Sequence, residues 1–149
     1  KGPVGREADG TEGAFTFCCH RGAGLAGRLS FGSGGFLGSV LRYLVGLGAQ
    51  HLPVQAPFLY GTLAVNVLGC LLIGFLGGLA QYRDIFNPSI RLFLFTGILG
   101  GFTTFSAFGY DTFSLGRDID LSIALLNVFL HIALGLSAVL LGFWISRWC

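Results

Sequence analysis

Polar side chains inside long apolar runs are where this sequence could do chemistry, and they are few. Arg42 stands in a run from Ser33 to Leu52, and Asn66 is central in the next. Thr103, Thr104 and Ser106 follow Gly100-Gly101 in a third run, and Asn127 and His131 sit in a fourth. A polar group at bilayer depth is costly and is a functional candidate by default. The guanidinium of Arg42 keeps its charge at any ordinary pH. It could snorkel to an interface or lend positive potential to a vestibule that gathers anions. Asn66 can offer side-chain N–H donors to an ion. Asn127 and His131 are four residues apart and so share one helical face.

The stretch Gly100-Gly101-Phe102-Thr103-Thr104-Phe105-Ser106-Ala107-Phe108 is poor continuous helix, with two glycines and two β-branched residues in mid-run. A break there would free backbone groups at bilayer depth, tolerated only where protein or a site buries them. Freed carbonyls could hold a small cation, while Thr and Ser hydroxyls could donate to an anion. The plain alternative is glycines that only permit close packing. Phe105 and Phe108 are three apart and project from neighbouring positions if the helix resumes. An aromatic ring is negative on its face and positive at its edge, so edges turned to a narrow path favour a small, hard anion. With 15 Phe in the chain, packing is the bland account of the same spacing.

The elements that must carry these residues follow from composition. Of 149 residues 53% are hydrophobic and only 11% charged, against about 25% charged in soluble domains. Four apolar runs, about 33–52, 57–80, 90–115 and 121–148, each reach the roughly 20 residues that cross a hydrocarbon core. Runs this long without alternation exclude strands, and a chain in lipid must satisfy its own backbone, so each should be a helix. The expected fold is an all-α membrane protein of four transmembrane helices, the third broken near its middle. Trp144 and Trp148 close the fourth run and Tyr60 and Tyr82 flank the second, positions suited to interfacial anchoring. Small residues recur four apart at Gly34/Gly38, Gly74/Gly78 and Gly97/Gly101. They suit close helix contact, within the chain or between subunits. Four helices leave little room for a pore, so a transport role favours an oligomer.

Residues 1–31 lack a sustained apolar run and a signal-peptide pattern, and are expected to be a disordered or artefactual tail outside a channel domain at 32–149. The chain starts at Lys1 and has no Met, which reads as a fragment or an altered start. Positive charge near the loops splits almost evenly once the tail is set aside, so topology stays open. Cys18, Cys19, Cys70 and Cys149 make no disulfide framework, and Cys18-Cys19-His20 lacks a second ligand pair for a metal. No nucleophile–base pair, metal cluster or phosphate loop is present, and His20, His51 and His131 lie in unrelated contexts; an enzyme is not expected. No acid lies within the apolar cores, Asp111 being nearest, which argues against proton-coupled cation export.

Gly34 to Tyr43, Gly61 to Gly69 and Gly100 to Phe108 resemble, in order and spacing, the span motifs of the CrcB/Fluc fluoride channels. The resemblance covers roughly residues 32–145. It implies a dual-topology homodimer of antiparallel subunits in the cell membrane, with two pathways for passive, selective fluoride exit that protects the cell. On that resemblance Phe105 and Phe108 line the pore, Asn66 is the pore amide, and Arg42 stands near the aqueous vestibule. Thr104 and Ser106 belong to the polar lining. The carbonyls of Gly100 and Thr103 would bind a structural sodium ion at the dimer centre. Asp111 resembles the acidic residue after the third-span motif. Ala107 departs from the family's usual hydroxyl, and Asn127 and His131 stand near where the family usually has Tyr and Ser. Both can still hydrogen-bond. His131 could make conduction pH-dependent; a neutral histidine bonded to a neighbouring helix is the plainer account.

Two rivals remain. A small multidrug-type exporter should carry a membrane-embedded Glu in its first span, and none lies between Ser33 and Leu52. A non-transporting membrane scaffold explains the Gly-rich packing but leaves the polar third-span motif unexplained. A heterodimer with a paralogue is the other partner arrangement compatible with the motifs.

Overall fold

The computed structural model describes residues 25–50, 57–83 and 86–148, and every regular element within them is helical. These are α1 (Leu25–Gln50), α2 (Pro57–Arg83), α3 (Pro88–Arg91), a π-helical segment π1 (Leu92–Leu99), α4 (Gly100–Phe102), α5 (Phe105–Asp118) and α6 (Leu121–Ser146). Most of the expected tail, residues 1–24, lies outside the described residues, as does His51. Residues 25–31, assigned by sequence to that tail, are instead helical. No proline interrupts Leu25–Ser33, so α1 starts ahead of its apolar run.

Helix starts follow local chemistry. Pro57 and Pro88 open α2 and α3, where a missing N–H does no harm. The Asn87 side chain accepts the Ile90 N–H at 2.9 Å, and Asp120 accepts the Ser122 N–H at 2.6 Å to cap α6. That bond holds the Asp120 carboxyl below the ordinary carboxylate range. The folded form therefore gains from the cap above the unfolded carboxyl's pKa, and loses it as pH falls through the depressed one.

Among the described residues, three stretches are long and apolar enough to cross a membrane: Tyr60–Arg83, Pro88–Asp118 and Leu121–Ser146. The helix α1 has 26 residues, but Arg28, Arg42 and its glycines dilute its apolar content. The π-helical widening over Leu92–Leu99 was not legible in sequence; at its end the Gly100 N–H reaches back to the Phe95 carbonyl, five residues away.

Packing has two halves. The long helices α2 and α6 lie against each other, while α1 packs on π1 and α4 and also touches α2; α5 leans on α6. Glycines set both contacts. A Cβ on Gly34 would stand 2.7 Å from the Phe93 carbonyl oxygen, and one on Gly101 would stand 2.5 Å from that of Gly35. Gly38 abuts the Ile98 carbonyl, Gly74 that of Val139, Gly142 that of Leu71, and Gly78 the Ser146 hydroxyl. The recurring small residues therefore serve contacts inside one chain. Gly74→Ala is expected to destabilise the purified protein by about 1–3 kcal/mol, because the obstacle is backbone and cannot yield. Gly77, on the same helix, faces open space, so Gly77→Ala should be neutral or slightly stabilising by about 1 kcal/mol. Thermal unfolding in detergent compares the two; equal shifts would refute the contact argument.

Candidate functional site

The site is built around two extended residues. Thr103 (φ −86°, ψ 152°) and Thr104 (φ −148°, ψ 119°) separate α4 from α5. In continuous helix the Thr104 N–H would go to Gly100 and the Ala107 N–H to Thr103. Instead the Thr104 N–H donates to Asn66 Oδ1 at 3.1 Å, and Asn66 Nδ2 returns a longer bond of 3.5 Å to the Thr104 carbonyl. The Ala107 N–H turns to the Thr104 hydroxyl, 3.4 Å away. The carbonyls of Gly100 and Thr103 thus lose the helical donors they would otherwise have. The Leu99 carbonyl takes both the N–H and the hydroxyl of Thr103, each at 3.0 Å.

One carboxamide from α2 therefore clips the opened backbone of the third stretch. Asn66 spends its oxygen and one N–H on that clip, and its second N–H has no partner among the described residues. Thr104 and Ser106 hydroxyls are 3.0 Å apart, so hydroxyl and amide donors gather at this point. The helix α5 then presents Phe105 and Phe108, whose ring centroids are 5.6 Å apart and tilted by 53°. Phe105 is 83% exposed, a large apolar ring left open on a single chain.

A second polar group lies between α5 and α6. The Phe108 and His131 rings are in contact, with centroids 4.4 Å apart and planes tilted by 43°. The Thr112 hydroxyl donates to the Phe108 carbonyl at 2.8 Å and accepts from Asn127 Nδ2 at 2.9 Å. His131 Nδ1 lies 3.0 Å from the Asn127 backbone carbonyl. A carbonyl only accepts, so Nδ1 carries the hydrogen, and the bond falls within α6 rather than to a neighbouring helix. Asn127 is 1% exposed and Asp111 is 2% exposed.

The fold brings Asn66, Thr104 and Ser106 together at the opened backbone, beside Gly100 and Thr103. It joins Phe105, Phe108, His131 and Asn127 along α5 and α6. Arg42 is set apart: it is half-buried on α1, which packs on α2, π1 and α4, and no acidic partner reaches it among the described residues. Sequence reasoning missed Thr112, which anchors Asn127. The signal for Thr112 was its place four residues beyond Phe108, on the same face of α5.

Residues 29–143 match the family described as CrcB-like protein, Camphor Resistance (CrcB). The chain belongs to the CrcB-like family. It is 46% identical over 120 residues to a protein of Chlorobium chlorochromatii named fluoride-specific ion channel FluC, covering 80% of this chain and 92% of that one. A protein of the same name from Elusimicrobium minutum is 46% identical over 112 residues, 75% of this chain and 86% of the other. Another, from Clostridium perfringens, is 40% identical over 119 residues, 80% and 92% of the two chains. The CrcB-like match spans the opened backbone, the phenylalanine pair and the α5–α6 polar group alike.

Proposed function

We propose that this chain is a fluoride-selective channel that lets fluoride leave the cell passively and so relieves fluoride toxicity. The observation that carries this reading is the Asn66 clip on Thr104 beside the Phe105–Phe108 pair, in a chain of the CrcB-like family. A fluoride ion leaving water needs replacement donors. The second Asn66 N–H and the Thr104 and Ser106 hydroxyls can supply them, and the ring edges of Phe105 and Phe108 add positive potential. Arg42 would raise the anion concentration at a vestibule, and Asn127 and His131 would continue the polar track. This is transport rather than enzymatic chemistry.

The working architecture has α1 as a fourth span and the third span broken at Thr103–Thr104. Residues 32–149 form the channel domain, in an antiparallel, dual-topology homodimer in the cell membrane. Exposure of Phe105 supports a partner copy, because a pathway lined by this ring needs a second wall. The Gly100 and Thr103 carbonyls, stripped of helical donors, fit a hard cation such as sodium, which takes oxygen ligands. Bound sodium would supply a fixed positive charge holding two copies of the break together; these carbonyls would hold it.

Liposomes loaded with potassium fluoride and made potassium-permeable provide the test. Fast fluoride release with negligible chloride release is expected. No fluoride release from a folded, homogeneous dimer would overturn the reading in favour of a scaffold, unless adding a paralogous subunit restores it.

A further inference from the structure

Phe108 is held from two sides, and both holds end on one residue. Its backbone carbonyl accepts the Thr112 hydroxyl at 2.8 Å, and the same hydroxyl oxygen accepts from Asn127 Nδ2 at 2.9 Å. Its ring touches His131, with centroids 4.4 Å apart, and His131 Nδ1 donates to the Asn127 backbone carbonyl at 3.0 Å. The four residues close a circuit between α5 and α6. In it the Asn127 side chain serves the Phe108 backbone, and the Asn127 backbone serves the neighbour of the Phe108 ring. A hydroxyl carries one hydrogen, so with that hydrogen on Phe108 the Thr112 oxygen is an acceptor toward Asn127. A threonine bonded back to the carbonyl four residues earlier often bends its helix. The bond from Asn127 ties that turn of α5 to α6.

Stability does not explain the circuit. Asn127 is 1% exposed, and its Oδ1 has no hydrogen-bond partner among the described residues. An amide buried with one end unpaired keeps the desolvation cost of that end, which an apolar side chain would not carry. Nor does Asn127 suit direct contact with an anion. One of its N–H groups goes to Thr112, and the atom without a partner is an acceptor.

We infer that Thr112 and Asn127 are positioning residues, which hold the turn carrying Phe108 and so set the angle at which its ring edge meets fluoride. Asn127 serves the polar track through Phe108 rather than by touching the ion. His131 limits the ring from the α6 side, and the Asn127 carbonyl keeps the imidazole in place. The part played in fluoride passage rests on the fluoride-channel reading, whereas the hold on the ring does not.

The cleanest variant combines Thr112→Val with Asn127→Leu, which removes both ends of the bond and strands neither. Replacing both partners of a buried hydrogen bond by apolar groups is close to neutral, so thermal unfolding in detergent should stay near the wild-type temperature. Fluoride flux in liposomes should nevertheless fall about fivefold or more, the effect on a barrier of one net hydrogen bond. Either substitution alone breaks the same bond and should lose as much flux, so each carries the test if the pair does not fold. Thr112→Ser keeps the hydroxyl and should conduct like the wild type. In a Phe108→Ile background, followed at higher protein density, the pair should cost nothing more, because the ring it positions is gone.

The hold on the ring is read without fluoride, by NMR of ring-labelled phenylalanine in detergent, with Phe108→Ile assigning the signal. The Phe108 resonance should move in the double variant and stay in place in Thr112→Ser. An unmoved resonance in the double variant overturns the hold. Absence of fluoride flux from the wild type defeats the channel reading and leaves the NMR to decide the hold. With a conducting wild type, unchanged flux in the double variant overturns the part in passage. So does a further loss in the Phe108→Ile background, or a fall in unfolding temperature that accounts for the lost flux.

Discussion

Phe108→Ile is expected to reduce fluoride flux at least about thirtyfold while the protein stays folded. Isoleucine fills similar space but has no ring, so it loses the electropositive edge toward the pathway. By analogy with a desolvated cation over a ring face, worth about 2 kcal/mol, a barrier raised by a like amount slows passage about thirtyfold. The substitution also removes the ring against which His131 lies, with centroids 4.4 Å apart. Phe129→Ile is the matched control, because Phe129 is exposed on α6. Flux in liposomes at fixed protein density measures both. Unchanged flux in Phe108→Ile would remove that ring from the mechanism, and equal loss in both variants would mean that bulk alone matters.

How much of this was readable before the fold is best judged residue by residue. The helical runs are legible because lipid imposes length and apolarity on any spanning segment, and α2, the stretch from α3 to α5, and α6 fall close to the expected runs. The short list of intramembrane polar residues was legible for the same reason: each stands out against apolar neighbours. What each polar group bonds to was not. The sequence offers the Asn66 N–H groups to an ion, and the fold spends most of the carboxamide on the Thr104 backbone 38 positions away. A pairing across that separation has no local period to betray it. Asn127 was grouped with His131 by spacing, but its nitrogen is held by Thr112 on a different helix. The π-helical turns of Leu92–Leu99 left no mark either, because the run has the same apolar character whether its turns close at four residues or five. Asp111 was seen as the acid nearest the cores, but its enclosure follows from the packing of α5 on α6.

Asn66→Ala is expected to show a large effect of a different kind, losing flux and structure together. Alanine leaves the Thr104 N–H, now bonded at 3.1 Å, without a partner at a half-buried site. An unpaired buried donor costs about 1–3 kcal/mol, and the opened backbone then has reason to close its helical bond to Gly100. Closing it would return a donor to the carbonyl proposed to hold sodium and would turn Phe105 and Phe108 relative to α2. Flux should therefore fall at least about tenfold, the equivalent of 1.36 kcal/mol on the barrier, and any stabilisation by sodium should weaken. Asn66→Asp separates the two roles. Its carboxylate can still accept from Thr104, so the break and the sodium response should survive, but it offers no donor and places negative charge beside the anion path. Leu72→Ala, on an exposed face of α2, sets the level for simple loss of bulk. Fluoride flux and thermal stability measured with and without sodium distinguish the cases. If Asn66→Ala matches Leu72→Ala in both readouts, the clip is only packing. If Asn66→Asp conducts like the wild type, the donor role of Asn66 is wrong while its hold on the break stands.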